Sequence, residues 1–338
     1  MSHILSDSEW RFFFERVTAS APSRTGYYNR NYFSLLGDQR VVLRVPLMEV
    51  DDMDLRVWPE PTILAVAHEA GLLVPQVLHA SASPAFAVVT FIDGQRLDEI
   101  CPDGLTVPRR VVSDVVHVIA SLHRVSRQRL PALPPQWPAD GDTVGFAGLL
   151  VARTQAVYDA YRDEFEGLFR RFGVPTDPLA WVRDRIDRLS PRPFRFLHSD
   201  LHRKNLMIQS DATWVLDWEQ ALWGDPVYEI ATHCHKMGYL PGEQELVRVL
   251  LGEVLSPKSL EGVEKDLPVL IAHERCKSII VDCVRYAKRI RVDGVSEAAC
   301  RALSERFSRK LLATRDLWGN PQLPSQDVLA LFLNDRQG

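Results

Sequence analysis

Cysteine is scarce in this sequence and does not cluster. Five occur in 338 residues, at Cys101, Cys234, Cys276, Cys283 and Cys300, with no Cys-x-x-Cys pair. An odd, scattered set suits neither a disulfide framework nor a zinc ribbon, and reduced thiols in a cytoplasmic protein are the simplest reading. No run of about 18 uncharged apolar residues occurs, so neither a transmembrane helix nor a membrane partner is expected. The first apolar stretch, Trp10 to Val17, is broken by Arg11, Glu15 and Arg16, unlike the core of a secretory signal. Charge of one sign is not in surplus: 40 Lys and Arg face 44 Asp and Glu, a net charge of −4. That balance argues against a nucleic-acid partner held by phosphate neutralisation. Internal repeats, low-complexity stretches and a G-x-G-x-x-G loop are all missing.

What is present is ordinary globular material, 46% apolar and 25% charged. Its length exceeds the usual single core, so two lobes are expected. The first ninety residues read as strand-rich with one helix. Tyr27 to Leu36, a turn at Gly37-Asp38-Gln39, and Arg40 to Val45 predict a β-hairpin. Pro59 to Ala70 predicts a helix ended by Gly71, and Val74 to His79 and Phe86 to Ile92 predict two further strands. Asp93-Gly94 marks the boundary between residues 1–92 and 93–338. Helices dominate the second part. Thr106 suits a cap, Pro108 a first turn, and Val111, Val115, Ile119 and Leu122 share one face. Residues 131–145 hold four prolines and two glycines and read as a loop. A long helix is expected over Leu149 to Phe172 and another over Pro178 to Leu189. Pro191 and Pro193 then enforce an extended run. Leu206 to Gln209 and Trp214 to Leu216 predict short strands, and helices follow near 226–237, 243–255, 265–290 and 296–317.

The chemistry concentrates in one segment. His198-Ser199-Asp200-Leu201-His202-Arg203-Lys204-Asn205 reads H-x-D-x-x-x-x-N, and Asp217 follows twelve residues after Asn205. That order and spacing resembles the phosphoryl-transfer site of protein-kinase-like enzymes. Adding Val215-Leu216-Asp217-Trp218-Glu219 and Gly224-Asp225-Pro226-Val227-Tyr228-Glu229-Ile230-Ala231, the chain is similar to the aminoglycoside phosphotransferase and choline-kinase-like family. It departs from that family at Ser199, where glycine is usual, and at Arg203-Lys204, where Pro-Gly is more usual. Neither change removes an oxygen donor or a charge. The resemblance implies an α+β, bilobal protein-kinase-like fold, with a small strand-rich N-lobe carrying one main helix and a larger, mostly helical C-lobe.

It also implies roles. Asp200 is the expected catalytic base for a substrate hydroxyl. Asn205 and Asp217 offer the oxygen ligands that hard Mg²⁺ requires. His198 is expected to support the loop. Arg44, in Val41-Val42-Leu43-Arg44-Val45, stands where a strand cation meets the phosphates of ATP or GTP, and its guanidinium offers a two-donor grip. Glu60 is the expected carboxylate partner of Arg44, with Glu69 as competitor. Asn29 and Asn31 alternate with Tyr28 and Tyr32 in a stretch resembling choline-kinase-like members, so a strand puts both amides on one face toward the nucleotide. Thr90, Phe91 and Ile92 fall where extended backbone joins the lobes and meets the base. Glu219 and Asp98 are acidic candidates for a cationic substrate. His233-Cys234-His235 is not a metal site, since neighbours at i and i+2 diverge around a helix. No protein-kinase activation segment ending in Ala-Pro-Glu follows Asp217.

The expectation is therefore a small-molecule kinase. An antibiotic, an aminoglycoside or other basic hydroxylated compound, leads as acceptor, a choline-, thiamine- or sugar-like metabolite comes second, and a nucleotide-binding pseudokinase module is the rival from another class.

Overall fold

The computed structural model describes residues 5–26, 28–47, 56–291 and 295–335; Tyr27, where the first hairpin strand is expected to begin, lies outside them. The chain opens with a helix that the sequence reading does not include, α1 (Asp7–Thr18). A capping box starts it: Ser6 Oγ accepts from the Glu9 N–H, and the Glu9 carboxylate accepts from the Ser6 N–H at 2.7 Å. Trp10, Phe13 and Val17 lie on one face and cluster with Tyr32, Leu43 and Phe86. The run Phe12-Phe13-Phe14 hides that periodicity, because Phe12 is exposed.

Next comes an antiparallel sheet of β1 (Arg24–Thr25), β2 (Asn29–Leu36), β3 (Gln39–Pro46), β4 (Val77–Ala82) and β5 (Ala85–Thr90), in the order β1-β2-β3-β5-β4. The β2–β3 hairpin matches the predicted one, pairing Asn31 with Arg44 and Leu36 with Gln39. β4 starts later than Val74 because Pro75 has no N–H for a ladder. Between β3 and β4 stands α2 (Glu60–Glu69), with Pro59 and Pro61 framing its first turn.

The chain crosses at Asp93-Gly94 to β6 (Gln95–Arg96), which pairs with β8 (Leu206–Gln209); β8 pairs in turn with β9 (Ala212–Val215). A side chain on Gly94 would lie 2.5 Å from the Ile208 carbonyl oxygen, so the crossing demands glycine. After β6 come α3 (Leu97–Ile100), α4 (Arg109–Leu122), α5 (Thr143–Tyr161), α6 (Glu166–Arg171) and α7 (Ala180–Ile186). The predicted apolar face of α4 is buried, but its N-cap is Pro108 and not Thr106, and Glu243 takes the adjacent Val107 N–H. The single helix expected over 149–172 is split into α5 and α6 by a turn at residues 162–165, although the Phe165 N–H still reaches the Tyr161 carbonyl at 3.0 Å. α5 also begins inside the predicted loop, because Asp142 accepts from Gly145 N–H at 2.8 Å and caps it.

β7 (Arg195–Leu197) pairs with β10 (Leu222–Gly224), and α8 (Pro226–Met237), α9 (Pro241–Val254), α10 (Val263–Arg291), α11 (Glu297–Ala313), α12 (Arg315–Trp318) and α13 (Ser325–Asp335) complete the chain. The largest core joins α2, α4, α5, α8 and the first half of α10; a second, aromatic core joins α6, the rest of α10, α11 and α13. Among the described residues no helix is long and apolar enough to cross a membrane. All five cysteines are free thiols.

Candidate active site

The strand β7 delivers the chain into the His198–Asn205 loop, and α8 fixes that loop in place. Asp225 caps α8 by accepting from Val227 N–H at 2.8 Å. The same carboxylate takes both ends of the fully buried Arg192 guanidinium, at 2.9 and 2.6 Å, while Asp266 takes a third N–H at 2.6 Å. Just before the cap, a side chain on Gly224 would lie 2.4 Å from the Phe146 ring. From this anchored start, Glu229 accepts the His198 and Ser199 N–H groups at 2.6 and 2.9 Å. His233 bonds the Leu201 carbonyl at 3.0 Å, and Met237 O accepts from Arg203 Nε at 2.9 Å. Residues 229, 233, 236 and 237 share one helix face. Burial pushes the Glu229 carboxyl up to about 7, against the pull of its two backbone donors.

His198 is fully buried. Its Nδ1 accepts the Asp200 N–H at 3.2 Å and its Nε2 lies 3.1 Å from the Leu216 carbonyl, which assigns the ring proton to Nε2. Burial holds this imidazole down at about 4, so the ring is neutral. The expected supporting residue thus ties the loop to the segment carrying Asp217. Ser199 has φ +62°, a left-handed conformation that glycine adopts without strain, which accounts for glycine at this place in the family that the sequence resembles.

Asp200 lies beside Lys236, whose Nζ donates to Oδ1 at 2.6 Å. Asn205 Nδ2 donates to Oδ2 at 3.1 Å and to the Asp200 carbonyl at 3.0 Å, and His202 Nε2 is 3.5 Å from Oδ2. Burial opposes ionisation, but Lys236 and His202 hold the carboxyl well below its usual range. Asn205 accepts the Leu216 N–H at 2.8 Å through its backbone, and because its amide nitrogen is committed to Asp200, its amide oxygen is the atom suited to a cation. Asp217 itself is left-handed, with φ +64°, immediately before a tight turn over Trp218–Gln220.

Opposite stands Arg44 on β3. Its guanidinium donates to Glu60 at 2.7 Å and to Glu219 at 2.8 Å, with Asp217 at 3.4 Å. Glu60 also accepts the Trp218 N–H at 3.2 Å. Glu69 lies on the surface, paired with Arg129. Asn29 donates to Glu219, and Asn31 faces Arg44 directly across the hairpin, so Asn29, Asn31 and Arg44 share one face. Burial disfavours charge on Arg44, but Glu60, Asp217 and Glu219 together raise its pKa. Burial and the neighbouring carboxylates Asp217 and Glu60 push Glu219 up to about 8.

The two acidic candidates are each paired with an arginine of this chain. Glu219 belongs to the Arg44 cluster, two residues past Asp217, and Asp98 is engaged by Arg96 at 3.2 Å. Of the joining residues, Thr90 N–H bonds Gln76 O at 2.9 Å and Phe91 N–H bonds Arg40 O at 3.1 Å. Those two donors complete the sheet, and the Ile92 carbonyl accepts the Gly94 N–H at 3.2 Å. From sequence, Lys236, Glu229 and Arg192 receive no role in the site. The spacing Glu229, His233, Lys236 on a predicted helix was the available signal for the first two; a lone arginine between prolines gives none for the third.

The residues present fit Mg²⁺. Oxygens of Glu60, Asp217 and Glu219 lie within 4.8 Å of one another. Three carboxyl groups converge on one guanidinium, with Asp217 half exposed, and carboxylate oxygens are the donors that a hard cation takes.

A sheet-rich part and a helical part, with this constellation between them, define a protein-kinase-like phosphotransferase. The model of the phosphotransferase enzyme family matches residues 21–254, and the chain belongs to that family. It is a phosphotransferase with an alcohol acceptor and a nucleotide phosphate donor. Among solved structures, it is similar to a choline/ethanolamine kinase family protein from Mesorhizobium loti, at 16% identity and TM-score 0.55, covering 97% of this chain and 99% of that one. A choline kinase from Streptococcus pneumoniae matches at 13% identity and TM-score 0.54, covering 91% and 100%, and that enzyme has also been solved with AMP. A thermostable mutant of an aminoglycoside phosphotransferase matches at 16% identity and TM-score 0.53, covering 90% and 98%. The sequence has no match among curated proteins.

Proposed function

We propose that this chain transfers the γ-phosphate of ATP or GTP to a hydroxyl of a small molecule, with Mg²⁺, in the cleft between residues 1–92 and 93–338. The observation that carries this reading is the convergence of Asp200, Asn205 and the Asp217 segment through His198 and the Asn205–Leu216 hydrogen bond. Asp200 orients the acceptor hydroxyl and takes its proton. A low pKa suits that role in phosphoryl transfer, where a loose transition state needs position more than base strength. Asn205 and Asp217 would hold the metal, with Glu219 close by. Bound there, Mg²⁺ supplies charge neutralisation for the phosphates. Arg44, aimed by Glu60, holds phosphate oxygens, and Asn29 and Asn31 line the same face.

For the acceptor, a hydroxylated antibiotic is the first reading, supported by the aminoglycoside enzyme among the similar folds. A choline-like or other metabolic alcohol is the second, supported by the choline kinases. Of the two acidic groups that a basic acceptor would meet, Glu219 pairs with Arg44 and Asp98 with Arg96. The intact Asp200, Asn205 and Asp217 set supports an active enzyme over a pseudokinase. The test is a screen of hydroxylated antibiotics and amino alcohols with purified protein, ATP or GTP, and Mg²⁺, read by the mass of the phosphorylated product. Product from the wild type and none from Asp200→Asn is the expected result; equal product from both would refute it.

A further inference from the structure

Phosphoryl transfer brings two anions onto one hydroxyl oxygen. The Asp200 carboxylate approaches from one side and the phosphoryl group from the other, so a cation between them lowers their repulsion. Of the basic side chains in the loop, His202 lies beside Asp200, with Nε2 3.5 Å from Oδ2. Arg203 is buried, with Nε on the Met237 carbonyl and Nη1 on those of Cys101, Pro102 and Leu105. Lys204 is exposed, and Arg44 stands on the nucleotide side among Glu60, Asp217 and Glu219. On α10, Lys277 is tied to Glu274 and to the Tyr228 hydroxyl.

Lys236 differs from all of these. Its ammonium has three donors, of which Asp200 Oδ1 takes one at 2.6 Å, and its side chain keeps 27% of its surface open. It is also held in register with the loop, since its helix neighbours Glu229, His233 and Met237 bond residues 198, 199, 201 and 203. We propose that Lys236 is a catalytic residue whose ammonium meets the oxygens of the phosphoryl group as it passes to the acceptor. This rests on the phosphotransferase reading above. In the step, the acceptor oxygen bonds to the γ-phosphorus while the bond from that phosphorus to the β–γ bridging oxygen breaks. The nucleoside diphosphate leaves with the electron pair, and the hydroxyl proton goes to Asp200. Lys236 stays protonated throughout, bridging Asp200 and the moving group.

The test compares wild type with Lys236→Met and Lys236→Arg, in turnover and in affinity for ADP with and without aluminium fluoride, a mimic of the transferring phosphoryl group. Removing one preorganised charge-stabilising donor typically costs about 10²–10³ in kcat. The methionine variant should therefore lose kcat on that order with little change in nucleotide KM, and arginine should restore part of it. Its affinity should fall far more for ADP with aluminium fluoride than for ADP alone. The affinity comparison needs no acceptor, so it decides the role of Lys236 even if no acceptor is phosphorylated, an outcome that would count against the functional reading instead. Should the methionine variant fail to fold, Lys236→Gln keeps a donor to Asp200 without the charge and carries the same expectation. Equal losses for the two ligands, or wild-type kcat, would overturn the proposal.

Discussion

The Arg44 guanidinium donates to Glu60 at 2.7 Å from the first turn of α2, whereas Glu69, at the other end of that helix, pairs on the surface with Arg129. Arg44→Ala should raise the nucleotide KM about ten- to hundredfold, since a charge-assisted hydrogen bond contributes ~1.5–3 kcal/mol. Arg44→Lys keeps the charge but loses the fork, and should fall between. Glu60→Gln should give a milder form of the defect, and Glu69→Gln none. Wild-type nucleotide kinetics in Arg44→Ala would remove this residue from the donor site.

Asp200→Asn should leave nucleotide affinity nearly intact while lowering kcat by about 10²–10⁴, the usual range for a positioned acid–base group. Calorimetry and turnover on the same preparation separate the two effects. Unchanged turnover in a folded variant would clear Asp200 of any catalytic role.

Asp217→Ala should abolish the metal-dependent part of nucleotide binding. The titration to run is nucleotide affinity with and without Mg²⁺; a variant showing the wild-type dependence would mean that the metal is held elsewhere.

Ser199→Gly should stabilise the protein. Ser199 sits at φ +62°, and its buried hydroxyl has no partner. A left-handed non-glycine residue costs roughly 1–2 kcal/mol, so the denaturation midpoint should rise accordingly. A fall would show that the serine makes a contact worth more than its strain.

His233→Gln should flatten the acid dependence of stability. His233 is fully buried between the Leu201 carbonyl and the Tyr239 hydroxyl, and burial holds its pKa at about 4, below the ordinary 6.5. The unfolded chain therefore binds this proton first on acidification. The contribution of the neutral ring is complete above about pH 6.5 and is lost as pH falls toward 4, at about 1.4 kcal/mol per pH unit. Parallel stability curves for wild type and variant across that range would contradict the assignment.

Much of the donor-side geometry was legible because local spacing determines it. The hairpin register places Asn29, Asn31 and Arg44 on one face, and the H-x-D-x-x-x-x-N segment closes on itself through the Asn205–Asp200 hydrogen bonds. Contacts between distant segments were less so. Lys236 meets Asp200 across 36 residues, and Arg192 joins Asp225 and Asp266 across 33 and 74. No periodicity encodes such pairings. Continuity along the chain, two residues past Asp217, suggests an acceptor-side place for Glu219. The left-handed backbone at Asp217 and the turn after it carry Glu219 to Arg44 instead. α1 was hidden by an exposed phenylalanine within its apolar run.

The family match ends at residue 254, whereas α10, which carries Glu274 and Lys277 against Tyr228 of α8, spans Val263–Arg291. Phosphate chemistry and the wall behind it are therefore written on different stretches of sequence. The first is constrained by the geometry of a transferring group that never changes. The second is tied to the first at two points, since Asp266 of α10 holds Arg192 against Asp225 and Glu274 takes the Tyr228 hydroxyl. A change at Asp266 or Glu274 would therefore reach the Asp200 loop from behind, through the anchoring of α8, although neither residue belongs to the segment that the family model covers.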